Sequence, residues 1–236
     1  MRIDPVATIT GGLDRALSAS VLPVASLLFG SYLVASYGTL ATLLFGLPTA
    51  LVSRRWWIGG GVLAVLAALW IGTAIATLYA HVVGARTMGP ALPDDRSRFT
   101  RRIARAMAST VALALVVAPL VVGGTALAVL PGIAVATLGG IALVTIAIED
   151  RSTTDALDRA WALAATDRTA VAVVGLVLAV GVLVGLTGSI LAIAVPLVGG
   201  LLRAALLTVV QLALVGVFVE VTVRVRKVHD VEVRPQ

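Results

Sequence analysis

The chain has 236 residues, of which 59% are hydrophobic and 13% charged, with a mean hydropathy of +1.06; so little polar surface excludes a soluble globular domain of this size and leaves a bilayer as the solvent. The formal charge is +6 and 17 of the 18 basic residues are arginine, placed beside apolar runs, which points to positive-inside topology and anionic headgroups rather than to nucleic acid. There is no cysteine, so disulfides, a thiol nucleophile and thiolate metal sites are excluded.

A spanning helix needs about 20 apolar residues, so this length holds about six spans with short connections. The N-terminal stretch carries Asp4 and Asp14 and few basic residues, unlike a signal peptide. Asp4 before Pro5 reads as a helix start, and Val6, Ile9, Leu13, Ala16 and Leu17 then share one face. An interfacial helix is expected over 5–17, with Gly11 and Gly12 weakening it. The run from 21 to about 50 is longer than one crossing requires, and two readings fit: one tilted span, or a span with a re-entrant piece near Gly38 and Gly46. A single crossing puts the basic loop after the second span on the side of both termini, and leaves Arg54 and Arg55 with Trp56 and Trp57 as an outer snorkelling belt.

The second span is expected over 60–83 and holds His81. That histidine reads as a solvated interfacial residue, with a proton relay as the functional alternative. Residues 84–105 form the largest polar stretch. Pro90 and Pro93 interrupt helix there, Asp94 and Asp95 read as caps, and an interfacial helix is expected over 95–106. Arg96, Arg98, Arg101, Arg102 and Arg105 make a basic patch, read as a topology anchor on anionic lipid or as a docking surface for a protein partner. Spans over 107–124 and 131–148 follow, separated by a turn with Gly123, Gly124, Pro131 and Gly132, and Pro119 is placed to kink the first.

The segment 149–168 is charged and amphipathic between two apolar runs. Ser152 and Asp155 have capping-box spacing, while Leu157, Ala160, Trp161 and Ala164 repeat at helical intervals as one buried face. Asp155 and Arg159 have the i, i+4 spacing of a wet-side ion pair. An interfacial helix is expected over 152–166, with Trp161 and Leu157 holding it to the membrane and Thr166 or Asp167 capping the next span. That span, 169–187, carries Gly181 and Gly185 in the GxxxG spacing that lets helices approach closely. The last span, 199–223, has Gln211 at mid-depth, expected to bond across to another helix. Arg203 and Glu220 lie nearer its ends, where they would snorkel, and a polar tail follows from 228.

LDRAL at 13–17, IARAM at 103–107 and LDRAW at 157–161 each precede a pair of spans, so three units of surface elbow plus hairpin fit the layout, with Arg15, Arg105 and Arg159 in corresponding places. The stretch IAIEDRSTTDALDRAWALAATDR resembles the elbow of six-span prokaryotic integral membrane proteins, among them the membrane domain attached to some glycerophosphoryl diester phosphodiesterases and its stand-alone relatives. The resemblance implies an all-α polytopic bundle in a membrane. It carries over no catalytic residue, because the phosphodiesterase activity of that family belongs to a separate soluble domain.

Nothing in the chain has the spacing of a metal, nucleophile or phosphate-loop site, and Asp94, Asp95, Glu149 and Asp150 read as caps rather than Mg²⁺ ligands. No cofactor and no enzymatic activity are expected. The expectation is a structural or regulatory membrane module in the cell membrane with both termini cytoplasmic, the alternative being a small permease-like subunit with a polar cavity at Gln211.

Overall fold

The computed structural model describes residues 4–42, 56–90 and 97–232. Among these the chain is all α-helix, without a strand. The helices are α1 (Pro5–Ala16), α2 (Leu22–Ala41), α3 (Trp56–Met88), α4 (Ile103–Leu127), α5 (Val129–Glu149), α6 (Thr153–Thr166), α7 (Arg168–Ala194) and α8 (Pro196–Glu232). Six of the described helical stretches are long and apolar enough to cross a bilayer, and the chain is a multi-pass membrane protein. The re-entrant alternative near Gly46, the pair Arg54 and Arg55, and Pro93 to Arg96 lie outside the described residues.

Local chemistry explains most helix ends. Asp4 Oδ1 accepts from the backbone N–H of Val6 at 3.0 Å and Ala7 at 3.4 Å, with Pro5 opening α1. Ser152 accepts from Asp155 N at 3.3 Å to start α6, and Asp167 Oδ1 accepts from Ala170 N at 3.0 Å to start α7. Single extended or irregular residues, Ala128 and Val195, join α4 to α5 and α7 to α8. Such short joints need backbone proximity. A Cβ on Gly124 would stand 3.0 Å from Gly132 N, and one on Gly199 would collide with Leu191 O.

Two expectations are corrected. The interfacial helix over 95–106 is replaced by a single turn, Ser97–Thr100, and a break at Arg102 (φ 43°), after which Ile103 already belongs to spanning helix α4. The IARAM segment is thus the start of a span, because left-handed Arg102 interrupts the helix just before it. Helix α8 runs on into the polar tail as far as Glu232, there being no glycine or proline between Gly216 and Pro235 to stop it. Gly12 does not weaken α1; it seats it.

The hairpins α2–α3, α4–α5 and α7–α8 are arranged so that their second helices, α3, α5 and α8, touch one another. Those helices bury one end together: Val82 and Val83 of α3, Ile141, Val144 and Ile146 of α5, and Val217, Val219 and Val221 of α8. At the opposite end Leu127, Leu130, Ile193 and Leu197 are largely exposed, as lipid-facing residues are. Elbow α6 lies on α5, and elbow α1 lies on α8. Gly12 makes the second contact: its Cβ would sit 2.7 Å from Val217 N and Cα, and a Cβ on Gly216 would strike Gly12 O.

Because the obstacle is backbone, Gly12→Val should cost about 1–3 kcal/mol and detach α1, read as a lower melting temperature in detergent and faster proteolysis around residues 17–21. Gly30→Val, where a Cβ meets nothing within 4 Å, should leave both unchanged.

Candidate functional site

Most of the described charged side chains that form ion pairs gather at the buried end of the bundle, in two nodes. Arg203 lies near the other end of α8, where its Nε is buried against Gly188 with no hydrogen-bond partner among the described residues and does not snorkel. In the first node, Arg86, near the end of α3, has a side chain only 2% exposed and reaches three oxygens. Its Nη2 pairs with Asp150 Oδ1 at 2.8 Å, its Nε donates to Ala147 O at 2.8 Å, and its Nη1 donates to Arg101 O. Arg101 Nε lies 3.3 Å from the other carboxylate oxygen, Asp150 Oδ2. Asp150 closes α5 in the left-handed conformation (φ 53°), a position glycine usually takes and Asp tolerates better than most residues.

The second node is Glu220 on α8. Its Oε2 meets Arg15 Nε at 2.7 Å and its Oε1 meets Arg224 Nε at 2.7 Å. Arg15 also donates to Met88 O at 2.6 Å, and Arg224 Nη2 to Ala7 O at 2.8 Å. Glu220 therefore does not snorkel, because two guanidiniums come to it within the protein. A third contact ties α6 down: Arg159 Nη2 lies 3.5 Å from Glu149 Oε1, while Arg151 Nε takes Glu149 Oε2 at 2.7 Å. The expected Asp155–Arg159 pair does not form, since the Asp155 carboxylate accepts from the Ser152 hydroxyl at 2.7 Å and Arg159 turns back toward α5. Thr153 Oγ1 donates to Ser109 O at 2.9 Å and joins α6 to α4.

Of the basic patch, Arg101 joins the first node while Arg102 and Arg105 are exposed, with no ion-pair partner among the described residues. Arg98 is placed by its backbone alone in the 97–100 turn, and Arg96 is outside the described residues. The expected single buried face of α6 divides. Ala160 is buried with Ala156 and Leu163, Leu157 and Ala164 are half-buried, and Trp161 is 69% exposed, turned away from the protein. Residues one apart point about 100° apart on a helix, so neighbours such as Ala160 and Trp161 face different surroundings.

Gln211 is half-buried and bonds across to α3, its Oε1 lying 3.0 Å from His81 Nε2; His81 Nδ1 lies 2.7 Å from Thr77 O. Thr208, one turn away, satisfies its own hydroxyl on Ala204 O at 2.8 Å. Of the carboxylates named as alternative cation ligands, Glu149 and Asp150 have both oxygens on arginines, and Asp94 and Asp95 are outside the described residues. No known protein family, curated protein or solved structure matches the chain.

Arg86 and Asp150 escaped the sequence reading as partners. The usable signal was Arg86 following Val82, Val83, Gly84 and Ala85 with no breaker before Gly89, which extends the span past the arginine. Losing one member of a buried pair strands the other charge. Arg86→Ala or Asp150→Ala should therefore cost about 3–5 kcal/mol. The double replacement Arg86→Met with Asp150→Gly should recover more than half of that loss in the same thermal-unfolding measurement, since it strands no buried charge and glycine suits the left-handed position.

Proposed function

We propose that this chain is a non-enzymatic structural or regulatory module of the cell membrane, with both termini and its elbows on the cytoplasmic side and a basic inner face that engages anionic headgroups or a protein partner. The observation that carries the reading is a division of labour among charges. The carboxylates of Glu149, Asp150 and Glu220 are turned inward onto arginines, while Arg102 and Arg105 stay exposed at that same end of the bundle. Unpaired guanidiniums beside spans are attracted to anionic lipid, each by about 1 kcal/mol, and the positive-inside rule puts that end in the cytoplasm. Exposed Trp161 on α6 supports an elbow resting in the interface.

The likeness of the 149–168 elbow to six-span membrane domains of the phosphodiesterase-linked kind supports the same setting and contributes no catalytic group. A permease would need a polar path through mid-membrane. A cleft between α3, α5, α7 and α8 has, among the described residues, His81 and Gln211 as its polar lining beside apolar residues and glycines, which favours the module.

Purified protein should retain phosphatidylglycerol in native mass spectrometry, and Arg102→Glu with Arg105→Glu should lose most of it; equal retention by the variant would sink the lipid-contact reading. Orientation has its own check: in Ser97→Cys, the sole cysteine should react with an impermeant maleimide only after cells are opened, and labelling of intact cells would invert the topology.

A further inference from the structure

Between α3, α5, α7 and α8 lies a cleft of about 440 Å³, within the size range of small-molecule sites. Along α8 its lining runs from Leu207 to Phe218, about 16 Å of helix. Ala136 and Leu143 of α5 and Leu178 of α7 add to it, and so does Val182, which is 47% exposed and brings the cleft to the lipid-facing surface. Gly140, Gly181 and Gly185 also line it. Side chains there would meet Phe218, Val210 and Leu207, so these glycines set the narrow walls of the space.

The polar groups in this lining are His81 and Gln211. Gln211 stands nine residues from Glu220, about 14 Å along α8, and His81 five residues from Arg86, about 7 Å along α3, so the pair lies below the charged rim and within the apolar part of the spans. One ring nitrogen of His81 meets Thr77 O and the other meets the Gln211 amide, so the imidazole is fully engaged by these two contacts. The Gln211 amide has two N–H donors and one carbonyl, and among the described residues its side chain makes this single contact, leaving at least one N–H to face the cleft. Among the described residues no charged side chain lines the cleft, so a charged headgroup placed there would be left uncompensated.

We propose that the cleft binds an uncharged lipophile bearing a hydroxyl or carbonyl oxygen, which accepts from the Gln211 amide while its hydrocarbon lies along α7 and α8. This goes beyond the inner-face reading and stands apart from it, since none of the rim arginines takes part. A membrane alcohol and a lipid-tailed quinone share this chemistry, and the test separates them.

Full-length protein in lipid nanodiscs would be photolabelled with hexadecanol carrying a terminal diazirine, and the cross-linked peptides mapped by mass spectrometry. Saturable labelling within 178–185 and 207–218 is expected, displaced by unlabelled hexadecanol or by an alkyl benzoquinone, the stronger competitor naming the source. Gln211→Leu should weaken competition about tenfold, the worth of one hydrogen bond in an apolar site, and Ala136→Phe, which fills the cleft, should abolish saturable labelling. The variants are read only where their melting curves show a folded protein, and the wild-type competition decides by itself if neither folds. Non-saturable labelling shared with lipid-facing Leu127 and Leu130 would overturn the proposal, as would palmitate competing as well as hexadecanol, or a folded Gln211→Leu indistinguishable from wild type.

Discussion

A guanidinium buried at the end of a membrane-crossing helix is the constraint on which the buried end of the bundle is built. Arg86 can stay charged there only if every direction it points meets an oxygen, and its three partners come from α5, from the C-cap of α5 and from the turn before α4. Asp150 must present its carboxylate from the C-cap just past the span, and the left-handed backbone that allows this also turns the chain into α6. The break before α4 is fixed by the same node, since Arg86 holds Arg101 O immediately before left-handed Arg102. Two residues further along α3, Met88 O accepts from Arg15 of the second node. The last turn of α3 is therefore where both nodes meet, and through it α1, α4, α5 and α8 share one anchor.

Much of this layout was legible in the sequence and some of it was not, for a consistent reason. Spans are read from apolar length, and caps such as Asp4, Ser152 and Asp167 act on residues two or three positions away, so both are local properties. Charge pairing is not local. Arg15 and Glu220 are 205 positions apart and Arg86 and Asp150 are 64 apart, while the nearby Asp155–Arg159 spacing is overruled by the hydroxyl of Ser152 on one side and Glu149 on the other. Faces suffered similarly: periodicity separates apolar from polar, but α6 has three surroundings, and only packing tells Ala160 against α5 from Trp161 facing outward.

Glycine shows why composition is a poor guide to contact. In lipid, helices gain little from the hydrophobic effect between them, so close approach through small residues carries much of the association. Gly12 and Gly216 bring α1 and α8 to backbone contact, Gly124 and Gly132 close the α4–α5 hairpin, and Gly181 admits Val210. A Cβ on Gly30, Gly60, Gly61, Gly72 or Gly123 would meet nothing within 4 Å among the described residues. Neither the number of glycines nor the GxxxG spacing separates these groups; the partner surface does.

The same logic explains how a tight bundle contains a cleft. The two charge nodes and the buried valines and isoleucines draw α3, α5 and α8 together at one end. At the opposite end the short joints at Ala128 and Val195 hold α4 to α5 and α7 to α8, and the Tyr37 hydroxyl of α2 donates to Leu197 O at the start of α8. Between those ends α7 keeps to α8, its Gly181 and Gly185 seated on Val210 and Leu207, and leaves α5 facing it across Gly140 and Leu143. The one polar tie in that gap, His81 to Gln211, joins α3 to α8 and so braces the wall opposite α7 without closing the space. The cleft is thus a consequence of where the strong contacts lie, with its polar groups on the rigid side and its apolar side open to lipid.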